Sequence, residues 1–172
     1  SCGSISVRTL NAGSSGSSGI LAFSSGTTES ATSGDIHFGT GSATGGRAGH
    51  VSVAVGSGTS GVAGCVEVFA GRSTKASGGS IILTSGEGTA TSSGALYVLS
   101  ANAGSAGLSG FLVFSSGTSK TGNSGGLLMG TGAATAGSTG GILISVGSGT
   151  SGTSGISLLA GRSTTETGGS VN

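Results

Sequence analysis

The chain has 172 residues, of which 40 are Gly, 36 Ser and 21 Thr, with no Pro, no Trp, one Tyr and five Phe. Any interior built from it has to be thin and repetitive. Six Lys plus Arg against five Asp plus Glu give a formal net charge of +1, and Arg8, Arg47, Arg72, Lys75, Lys120 and Arg162 are too scattered to form the clustered cations of a nucleic-acid groove. No nucleic-acid partner is expected. With no apolar run of about 18 residues, no membrane insertion as a helix is expected either.

In chain order the organising feature is an anchor glycine, at Gly3, Gly19, Gly34, Gly49, Gly64, Gly79, Gly94, Gly110, Gly125, Gly140, Gly155 and Gly169. The spacing is about 15 residues. Two and four positions after each anchor the side chain is large and apolar, as in Ile5 and Val7, Leu21 and Phe23, Ile36 and Phe38, through to Ile142 and Ile144. After Gly155 one residue is missing, so that the pair becomes Ile156 and Leu158. Period-two alternation of this kind predicts strands with one buried face, over 4–8, 20–24, 35–39, 50–54, 65–69, 80–84, 95–99, 111–115, 126–130, 141–145 and 155–159. Glycine usually returns at position seven, as at Gly26, Gly41, Gly71 and Gly86, and marks a corner. Position ten is commonly Thr and position twelve often Gly or Ala, which gives each repeat a small-residue half-turn opposite its large side chains.

A longer period lies above the short one. CGSISVRTLNAG from Cys2 matches SGALYVLSANAG from Ser93, and ILAFSSGTTES from Ile20 matches FLVFSSGTSKT from Phe111, at an offset of 91 residues. Six repeats make one super-repeat. Stacking repeats whose like residues fall in rows is the logic of a solenoid, so the expected fold is all-β: one parallel β-solenoid domain over 1–172 with about twelve coils, super-repeats 1–91 and 92–172, the second incomplete. Neither end carries a recognisable polar cap, which suits a piece of a longer protein or a unit whose ends are covered by neighbours.

The chemistry-bearing residues are sparse. Glu29, Asp35, Glu67, Glu87 and Glu166 fall in different repeats and mostly at different positions, so no carboxylate pair is expected to act in acid–base catalysis. His37 and His50 lack a fixed third ligand. No enzyme activity, metal or cofactor is therefore expected. Cys2 and Cys65 lie in the first and fifth repeats, and four stacked coils of about 4.8 Å each put them beyond disulfide reach of one another. They are candidate interchain thiols, in keeping with an oxidising extracellular setting.

Position three gives the sharpest candidate. It runs Ser6, Ala22, His37, Ser52 and Glu67, then Ile82, Tyr97, Val113, Leu128 and Leu143 before returning to Ser157. Five consecutive large residues at an outward position are a candidate assembly interface. No Asn-x-Ser/Thr acceptor is present, whereas the dense Ser and Thr offer hydroxyls for O-linked sugars.

The recurring SSGxIxxxxG and GGSIxxxxG pattern resembles the very large Gly/Ser/Thr-rich repeat proteins of secreted surface layers and appendages in stramenopile algae and related protists, including the hair-like flagellar filaments called mastigonemes. That resemblance covers nearly the whole chain and implies a structural role in an extracellular filament, with no functional residue to carry over. The expected function is a structural building block of an extracellular filament or surface layer, a rigid rod that associates with itself or with other solenoid chains. The alternative is a binding or adhesion module that presents a flat Thr/Ser-rich face to carbohydrate or ice. For ice, regular outward TxT pairs are wanted in every repeat, and TxT occurs here only at Thr89 to Thr91 and Thr165 to Thr167.

Overall fold

The structure is a computed structural model, and it describes residues 3–150, 152, 154–163 and 167–171. Among these residues there is no helix and no β-strand. This overturns the parallel β-solenoid, and with it the stacked coils and the eleven strands expected from 4–8 to 155–159. The alternation of large residues marks one side of each segment for burial, but it supplies nothing to bury that side against. Each repeat holds only two to five large apolar side chains, too few to offset about 1 to 2 kcal/mol of backbone entropy for every ordered residue. Accordingly no side chain is buried among the described residues.

Surface area expresses the same balance. A compact monomer of 15.7 kDa exposes about 7,300 Å² and a fully unfolded chain about 22,800 Å²; this chain exposes 17146 Å². It divides into two units, Ser1–Leu83 and Thr84–Asn172, each of which repeats the same local design.

That design keeps the 15-residue period. Sharp backbone bends fall at 14–16, 29–31, 44–46, 59–61, 74–76, 89–91, 105–107, 120–122 and 135–137, with Thr150 and Gly152 bent in the next repeat. They lie in the small-residue half of the repeat, ten to twelve positions after the anchor, or one later in the two 16-residue repeats. Between bends the backbone runs without ladder partners.

Two local devices are seen at some of these bends. In the first, a hydroxyl at position nine accepts an amide from position twelve: Ala31 N–H donates to Thr28 Oγ1 (3.3 Å), Ala76 N–H to Ser73 Oγ (2.9 Å) and Gly122 N–H to Ser119 Oγ (3.0 Å). A short hydroxyl side chain competes well for a nearby amide in such turns. In the second, a glycine in the left-handed region closes the bend, at Gly61 (φ 85°) and Gly152 (φ 92°), where a Cβ is disfavoured. Thr28 and Ser119 are one super-repeat apart, as are Gly61 and Gly152, so the long period reappears as a choice of bend chemistry. The repeat after Gly79 has Gly88 at position nine instead, and a Cβ there would run into the Ser92 carbonyl oxygen.

In three repeats the corner glycines act in pairs. Gly79 N–H donates to Gly71 C=O (2.9 Å), Gly94 N–H to Gly86 C=O (2.9 Å) and Gly169 N–H to Gly161 C=O (2.8 Å). Each bond joins position seven, or its equivalent in the shortened repeat, to the next anchor, and the first two close small loops around the bends at 74–76 and 89–91. Elsewhere a threonine does similar work: Thr9 Oγ1 donates to Gly19 C=O (3.3 Å) and Thr40 Oγ1 to Gly49 C=O (3.2 Å). The chain is thus a series of pinched loops joined by unpaired spans.

Candidate assembly face

The unpaired spans carry the large side chains, and their exposure is graded. At position two, Leu21, Ile36, Leu112 and Ile156 are close to half exposed, whereas at position three Tyr97 and Leu128 reach 80% and 91%. Peptide geometry alone sends neighbouring side chains to opposite sides of an extended span, and the pinched loop partly shelters one side.

All five members of the candidate interface, Ile82, Tyr97, Val113, Leu128 and Leu143, are exposed. They do not form one sheet-borne stripe, since no strand ladder aligns them among the described residues. Ile82 belongs to the first unit and the other four to the second. Position two and position four side chains are exposed as well, so the apolar surface extends well beyond the position-three column.

One contact between successive repeats is formed by rings. Phe23 and Phe38, both at position four, meet edge to face with centroids 6.1 Å apart and planes at 84°, the arrangement that the aromatic quadrupole favours. Two phenylalanines at one position of adjacent repeats were the available signal for this pair.

The polar groups stay apart. His37 Nε2 lies 3.9 Å from Asp35 Oδ2, with both side chains exposed, and no group of three or more His, Cys, Asp or Glu that could hold a metal ion occurs among the described residues. No pocket is formed there either. Cys65 is a free, exposed thiol. Cys2 and Glu166 lie outside the described residues, and the four-coil separation expected between Cys2 and Cys65 lapses with the solenoid on which it rested. No helix among the described residues is long and apolar enough to cross a membrane.

Comparison of the chain with protein-family models, with characterised proteins and with solved structures gives no match.

Proposed function

We propose that this chain is a structural building block of an extracellular filament or surface layer, whose apolar side chains become covered when chains associate. The observation that carries the reading is the coexistence of a strict repeat with a complete lack of buried side chains among the described residues. Large apolar residues recurring at fixed positions over many repeats, yet left in water, have their partner outside the chain. Near-neutral composition supports the same reading, because little charge repulsion opposes close packing of copies. Dense hydroxyls and glycines suit a secreted material, and the resemblance to algal and protist filament proteins points the same way.

The reading assigns the chain no catalytic task and no cofactor, and it places O-linked sugars, if the material carries them, on the exposed Ser and Thr. A flat Thr/Ser face for carbohydrate or ice needs a regular sheet to hold its hydroxyls in register, and the described backbone forms none. The test is sedimentation and electron microscopy of the purified chain over a range of concentrations. Filaments or sheets above a threshold concentration are expected; a chain that stays monomeric up to its solubility limit would sink the proposal.

A further inference from the structure

We infer that the partner of the apolar rows is a second copy of this chain, lying parallel to the first and displaced by one repeat. This rests on the structural reading above and adds to it the partner and the register.

Spacing selects the copy. A row of large side chains that recurs about every 15 residues is matched along its length only by a surface with the same spacing, and another copy has it. Phe23 and Phe38, at one position of adjacent repeats, do meet edge to face within the chain.

Area selects an open arrangement. The chain exposes 17146 Å² where a compact monomer of its mass exposes about 7,300 Å², and an ordinary interface covers only about 800 Å² on each partner. A closed dimer leaves most of that excess in water. A displaced contact joins unlike surfaces, so each addition exposes a fresh copy of both and the assembly continues.

Charge selects the displacement. With parallel copies in zero register every charged residue faces its own twin. Displaced by one repeat, Arg72 faces Glu87, since both stand at position eight, and Asp35 faces His50, since both stand at position one; no two like charges then share a position. These four side chains are exposed. A displacement of six repeats pairs Glu29 with Lys120 but sets Arg72 against Arg162 and gives up half of the overlap, and one of five pairs Glu87 with Arg162 at a similar loss.

The test uses the full chain as wild type, Arg72→Glu, Glu87→Arg and the double variant R72E/E87R, with free and pelleted protein measured after sedimentation. Each single change puts like charges face to face and is expected to raise the free concentration at which assembly begins by about threefold to tenfold. The double variant restores the opposite pair and is expected to return close to wild type. Singles that match wild type, or a double variant no better than the singles, would overturn the register while leaving assembly itself intact. Wild type that stops at a dimer would overturn the displaced contact. Wild type that never assembles alone, yet pellets with insoluble polysaccharide, would remove the structural reading as well and make carbohydrate the occupant.

Discussion

Ser73 holds two amides on one oxygen, Ala76 N–H at 2.9 Å and Lys75 N–H at 3.4 Å, and everything about it is exposed to water. In that setting a hydrogen bond contributes about 0.5 to 1.5 kcal/mol, enough to bias a bend but too little to lock it. Ser73→Ala is therefore expected to loosen its own bend and no other, raising the exchange rate of the Ala76 amide several-fold while Gly122 keeps the rate set by Ser119. Amide exchange followed by nuclear magnetic resonance checks this, and an unmoved Ala76 would mean that the hydroxyl is not its acceptor. Gly61 uses the other device. Its φ of 85° is one that a side chain resists, and Gly61→Ala should cost about 1 to 2 kcal/mol of local bend stability, read as altered backbone chemical shifts over residues 59–61.

Loops of nine residues, Gly71 to Gly79 and Gly86 to Gly94, are the elements, each shut by a single backbone bond. Gly79→Pro deletes the donor and should lengthen the mean distance between labels placed at 70 and 80, with the loop that Gly94 closes unchanged; energy transfer between dyes measures it. Much of this element was legible in the sequence. The small-residue half-turn expected around positions ten to twelve coincides with the bends, whereas the glycines expected as strand corners pair across the loops instead. The strands were misread because alternation at Leu21 and Phe23, or Leu112 and Phe114, specifies that one side of a span wants cover without specifying that the same chain provides it. Corner glycines were also expected at the strand ends, where positive φ or close backbone approach is tolerated, whereas Gly61 and Gly152 place the left-handed backbone inside the bend.

Among the described residues no side chain is buried into a core, so the isolated chain should show no cooperative unfolding. Far-ultraviolet circular dichroism in rising guanidinium is expected to change gradually, and a sharp sigmoid would mean that the chain buries a core of its own. Val113→Lys with Leu128→Lys tests the exposed face. The double variant removes apolar area worth about 25 cal/mol per Å² on burial and adds two charges, so assembly should need more than about tenfold higher concentration, while the spectrum of the dilute chain stays as it was. Sedimentation decides the first part and circular dichroism the second. The sequence already singled out this column as unsuited to a lone soluble chain. It could not show that positions two and four are exposed along with it, because that follows from the failure of the spans to pair.

The glycine closures also govern how the material yields to tension. Because no buried side chain among the described residues couples one pinch to the next, each opens by itself, and the three Gly-to-Gly closures hide eight residues of reach apiece, about 27 Å of extended chain for each loop. A pulled strand of this protein gives length in small increments and regains it when slack, since loops of this size reclose in about 10 to 100 ns. In the proposed assembly stiffness would belong to the packed bundle, and stretch to the single chain.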